Sequence, residues 1–116
     1  ASGLAALAVP SWLDSLRSAR RADAHAILLK AQLDQEKYRG NNTSYASTTT
    51  ALGWASANSA DGYYTVAFSG VGATGYTSTA TAVSGTSQAG DSGCTAIVLS
   101  QSAGNTTTTP AACWKK

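Results

Sequence analysis

Charged residues are scarce in this sequence. Lys, Arg, Asp and Glu make up 12% of its 116 residues, about half the share found in an average globular protein. Hydrophobic residues make up 43%, which is an ordinary proportion. The polar surface therefore has to be built from Ser, Thr, Asn and Gly, a composition common in extracellular proteins and bacterial surface structures.

Basic residues are missing from most of the chain. Between Gly40 and Trp114 the sequence has no Lys or Arg. The formal net charge of +2 is too small for whole-chain charge to indicate a nucleic-acid or membrane-lipid partner. The charge is unevenly placed, however, since the basic residues are confined to two places: Arg17, Arg20, Arg21, Lys30, Lys37 and Arg39 near the start, and Lys115 and Lys116 at the end.

Cysteine is also rare. Only Cys94 and Cys113 are present, and without a C-x-x-C spacing they argue against a structural zinc site. An even pair indicates a disulfide if the compartment is oxidising, and two free thiols if it is reducing.

No hydrophobic run is long enough to span a membrane. "ASGLAALAV" places nine small and apolar residues before Pro10, whereas a spanning helix needs about 20. The segment also lacks the basic start and cleavage site of a signal peptide. We interpret it as the end of a longer apolar segment whose beginning is missing.

The sequence offers little for catalysis. The single histidine, His25, lies between two alanines in a predicted helix, where a structural or exposed role is the commoner one. The string "GDSG" (residues 90–93) resembles the active-site string of serine proteases, but such enzymes need a separate His and Asp on a much larger double barrel. We read the string as a turn before a strand and predict no enzymatic activity and no cofactor.

Metal binding has equally weak support. Asp61 and Asp91 are the only acidic residues after Glu36, and a calcium site needs several oxygen ligands. The spacing of the two carboxylates does not require them to converge with loop carbonyls, so we predict no metal.

Three short strings match the N-x-S/T glycosylation pattern. They begin at Asn41, Asn42 and Asn105. Such strings arise by chance in a chain rich in Asn and Thr, and they are acceptors only if the host glycosylates them.

Residues 11–39 have the pattern of one long helix. Ser11 is positioned to cap it directly after Pro10, and neither Gly nor Pro follows before Gly40. At 1.5 Å per residue the helix would be roughly 43 Å long, too long to be buried along its whole length, so part of it should project or pack against another chain. The apolar positions recur at helical spacing: Leu13, Leu16, Ala24, Ile27, Leu28, Ala31 and Tyr38.

The periodicity then changes twice. Residues 41–60 show no sustained period and are predicted as an ordered loop, with a short helical turn near Ala51 and anchors at Tyr45, Leu52 and Trp54. After Gly62 the apolar residues alternate, with Tyr64, Val66 and Phe68 on one face of the first strand. Strands are predicted at 63–70, 75–85, 94–100 and 105–109, with a hairpin at 70–75.

These elements define an α+β fold. The long N-terminal helix and the small antiparallel sheet of three or four strands each have an apolar surface to bury, so the helix should lie across one face of the sheet.

Both ends of the chain resemble type IV pilins. "LAALAVPSWLDSLRSARRADAHAILLKAQLDQEKYRGNNTSYAS" is similar to the N-terminal region of that family. Its apolar run (Leu4 to Val9), Pro-Ser-aromatic step (residues 10–12), basic stretch (residues 19–24) and Glu-x-Tyr-like end (residues 36–38) match in order. The end of the chain resembles the "GD…C…L…L…G…P…CW" ending of PilE-like minor pilins, here carried by Gly90-Asp91, Cys94, Ile97, Leu99, Gly104, Pro110 and Cys113-Trp114.

The resemblance implies a fold and a division of the chain. The expected fold is the type IV pilin fold, in one domain, with a helix (1–39), an αβ-loop (40–61), a sheet (62–100) and a disulfide-bounded D-region (94–113). The disulfide implied is Cys94–Cys113. About a dozen residues are expected to be missing ahead of Ala1, including the peptidase site and the segment that anchors pilins in the inner membrane.

The function implied is structural. We expect a minor subunit of a bacterial type IV pilus, held in the inner membrane and periplasm before assembly and extracellular afterwards. Its partners would be other pilin subunits. The resemblance implies packing between subunits through one set of helix residues, with Pro10 expected to kink or loosen the helix: Leu4, Leu7, Val9, Pro10, Leu13 and Leu16.

Two alternatives stay open from the sequence. One is a DNA-binding minor pilin for natural transformation, and the other is a type II secretion pseudopilin, for which a calcium site would be expected. The arginines among the candidate DNA-binding residues fit a solvated or subunit-facing helix surface better than an anion site. The candidates are Arg17, Arg20, Arg21, Lys115 and Lys116.

Overall fold

The computed structural model describes the backbone of residues 2–115 and the side chains of residues 12–115. In this part of the chain a long helix, α1 (Ser2–Arg39), is followed by four strands. Short 3-10 helices at 50–52, 87–90 and 111–114 interrupt the connections and the C-terminal segment. The strands are β1 (Tyr64–Ser69), β2 (Gly75–Ala82), β3 (Ala96–Ser102) and β4 (Asn105–Thr109).

Helix α1 is longer than the sequence suggested. It begins at Ser2, so the start predicted at Ser11 is wrong, and Pro10 lies inside the helix. A proline removes one helical hydrogen bond, but the alanines and leucines around it favour the helical state on both sides. The predicted end at Arg39 is confirmed.

Part of α1 projects beyond the sheet. Its 38 residues span about 57 Å at 1.5 Å per residue, close to the 62 Å length of the whole molecule. Among the side chains described, the first buried one on the helix is Asp23. The expectation that the helix outruns the sheet is therefore confirmed.

The sheet is a four-stranded antiparallel meander. Its spatial order is β1-β2-β3-β4, so each strand pairs with its neighbours in sequence. The hairpin predicted at 70–75 joins β1 to β2, and β4 occupies the predicted residues 105–109. Ala103 and Gly104 turn the chain between β3 and β4 with φ values of 49° and 84°.

The core lies between α1 and the first three strands. Alternate residues of β1, β2 and β3 are buried, as the period-two pattern predicted, although Phe68 near the end of β1 is only half-buried. Strand β4 is exposed throughout and lies outside this core. The buried hydrophobic cluster is formed by Ala24, Ile27, Leu28, Tyr64, Val66, Ala80, Cys94, Ile97, Leu99 and Cys113.

Two aromatic residues attach the αβ-loop to α1. Trp54 Nε1 donates a hydrogen bond of 2.7 Å to Asp34 Oδ2. Lys30 Nζ lies 4.4 Å from the centre of the Trp54 ring. Tyr45 Oη donates to Glu36 Oε1 over 3.2 Å. The anchoring roles predicted for Tyr45 and Trp54 are confirmed.

Buried polar side chains of α1 also hold this loop. Asp23 accepts hydrogen bonds from Ser59 Oγ and from the backbone N–H groups of Asp61 and Tyr63. Gln35 both donates to and accepts from the backbone of Ala46, each over 2.8 Å. The loop is thus ordered by helix side chains, although it has little regular structure of its own.

A disulfide joins Cys94 to Cys113 across 19 residues of sequence. It ties the start of β3 to the 3-10 helix at 111–114. Both cysteines are buried.

Reduction of this disulfide should loosen residues 94–113 and leave α1 intact, because the helix also packs on β1, β2 and the αβ-loop. The chain-entropy model gives a loss of about 3 kcal/mol for a loop of this size. Hydrogen exchange should accelerate across 94–113 alone, and Cys94→Ala/Cys113→Ala should reproduce the pattern without reductant. Unchanged exchange there would contradict the prediction.

Tyr76 carries a buried hydroxyl without a partner. The residue is 2% exposed, and its Oη has no hydrogen bond among the described residues. Burial raises the pKa of Tyr76 to about 12. The unfolded chain gives up this proton near pH 10, so it holds fewer protons than the native state between about pH 10 and about pH 12, and stability falls as the pH rises through that window.

We expect Tyr76→Phe to keep or increase the free energy of unfolding, by up to about 1 kcal/mol, because it removes an unpartnered polar atom. It should also lessen the alkaline loss of stability. Tyr64→Phe is the matched control, since Tyr64 Oη accepts a hydrogen bond from Gln88, and it should destabilise. Urea unfolding at neutral and alkaline pH measures both variants. A loss of more than about 1 kcal/mol in Tyr76→Phe would show that its hydroxyl is bonded.

Candidate nucleic-acid interface

The basic side chains come from only two parts of the fold. Because the sequence has no Lys or Arg between Gly40 and Trp114, every cation lies on α1 or at the end of the chain. We call Arg17, Arg20 and Arg21 the arginine cluster. The other cations of the described residues are Lys30, Lys37 and Arg39 on the later turns of α1, and Lys115.

The arginine cluster is hydrogen-bonded to the connection between β2 and β3. Arg17 Nε donates 3.0 Å to the carbonyl oxygen of Ser87, and Arg20 Nη1 donates 2.6 Å to Ser87 Oγ. The guanidinium of Arg20 also lies 4.6 Å from the centre of the Tyr63 ring. Two cations are therefore brought together at one serine of the loop.

Arg21 makes the salt bridge of this region. Its Nε and Nη2 donate to the two carboxylate oxygens of Asp91 over 2.7 Å and 2.8 Å. The Asp91 side chain is 6% exposed, so an unpaired charge here would be costly. The hydrogen bonds to Asp91 raise the pKa of Arg21. Asp91 balances the charge of Arg21, which leaves Arg17 and Arg20 as the positive part of the cluster.

Gln88 links the helix backbone at the arginine cluster to strand β1. It is buried, and its Nε2 donates to the carbonyl oxygen of Arg17 and to Tyr64 Oη. Sequence reasoning missed this residue, because its helix partner lies 71 positions away and its local sequence resembles that of any polar loop. Only the folded chain identifies it as structural.

His25 holds the C-terminal segment against α1. Its Nε2 lies 2.7 Å from the carbonyl oxygen of Cys113, and a carbonyl oxygen only accepts, so Nε2 carries the hydrogen. The imidazole also stacks on Trp114, with ring centres 4.6 Å apart and planes 12° apart. The single histidine thus has a structural contact.

A groove opens between this face of α1 and the end of the chain. Its volume is about 480 Å³. None of its lining residues is acidic, and Lys115 supplies a cation. Lys116, the other predicted cation, lies outside the described residues. The lining residues are Ser15, Ser18, Ala19, Ala22, His25 and Lys115.

The predicted DNA-binding residues thus occupy two places. The arginine cluster lies on the β2–β3 connection, where all three side chains are half-buried, and Lys115 lies in the groove. Both places are at the same level of α1, between residues 15 and 25. Their role in DNA binding stays a prediction.

The predicted subunit-packing residues lie on the projecting part of α1. Leu13 and Leu16 are half-buried. Leu4, Leu7, Val9 and Pro10 are helical in backbone, and their side chains are outside the described residues. Three other large apolar side chains of the helix are in contact with solvent: Trp12 is 63% exposed, Leu29 53% and Leu33 57%.

The residues of the weak calcium-site and protease-like patterns have other contacts in the structure. Both carboxylate oxygens of Asp91 bond Arg21, and Asp61 bonds Asp23 through its backbone N–H. In the described part of the chain no three His, Cys, Asp or Glu side chains are grouped as a metal site would require. The "GDSG" string forms a turn with Gly93 at φ 84°.

Over the residues described, no helix combines the length and the apolar character that crossing a bilayer requires.

The architecture defines the class of protein. A long N-terminal helix packed on a four-stranded antiparallel sheet, with a disulfide at the C-terminal end, is the type IV pilin fold.

The family follows from a comparison with protein families. A family model described as "Type IV minor pilin ComP, DNA uptake sequence receptor" matches residues 10–98, well over half of the chain. The chain therefore belongs to this family of type IV minor pilins, as its resemblance to pilins implied. A search of curated proteins finds no match.

The Arg21–Asp91 pair yields a stability prediction. Arg21→Ala should lower the free energy of unfolding by about 2 kcal/mol, because it leaves a buried carboxylate without its partner. Arg21→Lys should recover only part of the loss, since an ammonium cannot make the two parallel bonds of a guanidinium. Urea unfolding measures each variant.

A double-mutant cycle with Asp91→Ala isolates the pair. The double variant should be less destabilised than the sum of the two single ones, with a coupling of about 1–3 kcal/mol. Additive losses would mean that the two groups do not interact in solution. Lys37→Ala, at an exposed position of the same helix, controls for the loss of a positive charge.

Proposed function

We propose that this minor pilin is built into a type IV pilus through α1 and binds DNA through the arginine cluster and the C-terminal lysines. The observation that carries the DNA-binding part is the placement of charge. All basic residues lie on α1 or at the chain end, and a protein binds DNA chiefly by meeting its phosphates with Lys and Arg. Any surface of this chain that meets phosphates with Lys or Arg therefore lies on α1, at the chain end, or on both.

Arg17 and Arg20 are the cations of the cluster best suited to this task. Each uses one guanidinium nitrogen to bond Ser87, and within the described residues the others make no hydrogen bond. A guanidinium has five N–H donors, so four remain on each side chain for phosphate oxygens. The bonds to Ser87 fix the direction of both groups before DNA arrives, which lowers the entropy lost on binding.

The family description supports the same function. It names a DNA uptake sequence receptor, and we propose the same property for this chain. The rival is a minor pilin with a purely structural role, which the exposed apolar residues on α1 would equally suit. The two differ in one measurable property, the binding of DNA by the folded domain.

The filament part of the proposal concerns the projecting end of α1. Leu13 and Leu16 lie before the first buried helix residue, and Trp12 is largely exposed. Leu4, Leu7, Val9 and Pro10 belong to the same apolar stretch of the sequence and precede these residues on the helix. Packing against other pilin subunits would bury this stretch. The subunit would then sit in an extracellular pilus, after an earlier stage in the inner membrane, without a catalytic role.

The first experiment is a titration of the oxidised domain with duplex DNA over a range of salt concentrations. We expect binding that weakens with salt, since each phosphate contact contributes about 0.9 to the slope of log K against log salt. Arg17→Gln/Arg20→Gln keeps donors for Ser87 but removes two charges, so the slope should fall by about 1.8.

A matched control removes two charges elsewhere. Lys30→Gln/Lys37→Gln changes the net charge equally on later turns of α1, and its slope should stay near that of the parent protein. An equal effect of both double variants would show that binding follows net charge and not the arginine cluster. If the parent protein does not bind DNA at low salt, the structural role alone remains.

A further inference from the structure

The geometry points to a site for one sugar–phosphate strand of DNA in the groove between α1 and the C-terminal segment, with Lys115 meeting a phosphate. This inference rests on the proposed DNA-binding function and assigns part of it to residues that nothing else connects with DNA: Ser15, Ser18, Ala22 and His25.

The groove takes its shape from the helix. Ser15, Ser18, Ala22 and His25 follow one another at spacings of three and four, so they lie along one face of α1. All but His25 are exposed. The alanines at 19 and 22 have the smallest side chains that keep a strong helix preference. They leave a shallow apolar floor against which a deoxyribose can lie.

The opposite wall is the end of the chain, held in place by three contacts. The disulfide fixes Cys113 to Cys94, His25 bonds the carbonyl oxygen of Cys113, and Trp114 stacks on the imidazole. Lys115 follows directly and lines the groove. His25 is thus a positioning residue, since it sets where the Lys115 backbone leaves the fold.

The side chains that line the groove suit a ligand that combines a negatively charged group with an adjacent apolar surface. Lys115 provides the positive charge, and the hydroxyls of Ser15 and Ser18 can donate hydrogen bonds. Among the described residues, no acidic side chain lines the groove. An alternating sugar–phosphate chain presents this combination of charge and apolar surface.

The groove also extends the surface proposed above. It lies at the same level of α1 as Arg17 and Arg20, whose side chains lie on the Ser87 loop. A duplex lying across this end of the domain would meet cations from both sides of the helix. Backbone contacts of this kind position a protein on DNA without reading its sequence.

The test fills the groove without touching any charge. Ala22→Leu places a large side chain on the floor at an exposed helical position, where leucine is well tolerated. We expect at least a fivefold loss of affinity for duplex DNA. Ala26→Leu is the matched control, because Ala26 is also exposed on α1 but does not line this groove, and its affinity should be unchanged. Circular dichroism and thermal unfolding check that both variants fold.

Lys115 is tested by its charge. Lys115→Ala should lower the salt slope by about 0.9, the value of one phosphate contact, and Lys115→Arg should restore it. His25→Phe keeps an aromatic ring for Trp114 but loses the bond to Cys113. It should weaken DNA binding. The fall in salt slope caused by Arg17→Gln/Arg20→Gln should be the same with and without His25→Phe, a pattern that simple loss of stability would not produce.

The outcomes separate this inference from the proposed function. If the parent protein binds DNA but Ala22→Leu binds as tightly as Ala26→Leu, the groove is not a DNA site, while the function stands. If the parent protein does not bind DNA, both are overturned. Vesicles of anionic phospholipid are a further probe, and loss of vesicle binding in Ala22→Leu with DNA binding intact would assign the groove to a membrane surface and overturn the inference.

Discussion

The burial of one narrow stripe of α1 against the sheet determines how the rest of the molecule is arranged. Ala24, Leu28, Ala31 and Gln35 are fully buried and follow one another at spacings of four, three and four, so a single line of the helix meets β1, β2 and β3. Two of the four are alanines, which lets the helix approach the sheet closely. Besides this line only Asp23 and Ile27 are buried among the described helix side chains, so the rest of α1 remains available for polar contacts and for partners.

The two flanks of that stripe attach different parts of the chain. On one side Asp23 and Asp34 bond the αβ-loop, and on the other His25 bonds the C-terminal segment. At the lower end, Arg21 reaches the β2–β3 connection through Asp91. The sheet has little cover besides α1, so segments of irregular structure depend on these side chains for their order. Asp23 is a buried carboxylate that accepts several hydrogen bonds from the loop, and a fully satisfied buried polar group of this kind makes the surrounding structure more rigid.

Local pattern predicted most of the fold. The alternation in β1 to β3, the Gly-bounded hairpin and the helix end at Gly40 depend on neighbouring residues alone, and the structure has each of them. The start of α1 was missed because Pro10 is a local signal for a helix boundary, which the alanine-rich segment around it overrides. The partners of the arginine cluster were also missed. The bonds from Arg17 to Ser87 and from Arg21 to Asp91 each join residues 70 apart in sequence, and no periodicity records such a pairing. The sequence pattern indicates only three arginines on one helix. In the folded chain Asp91 neutralises Arg21, and Ser87 orients Arg17 and Arg20.

The same helix therefore carries two demands that usually fall on separate surfaces. The sheet has no Lys or Arg, so attraction for DNA would have to come from α1 and the chain end. The packing of a pilin into a filament also has to come from α1, because only there does the described structure leave large apolar side chains exposed. The positions divide along and around the helix: Trp12 and the leucines at 13 and 16 lie on the projecting end, while Arg17 and Arg20 begin where the β2–β3 connection covers the helix. Filament packing through the apolar end would leave the arginine cluster uncovered only if neighbouring subunits stop short of residue 17. The proposed binding of DNA thus depends on where along α1 the proposed contact with the next subunit would end.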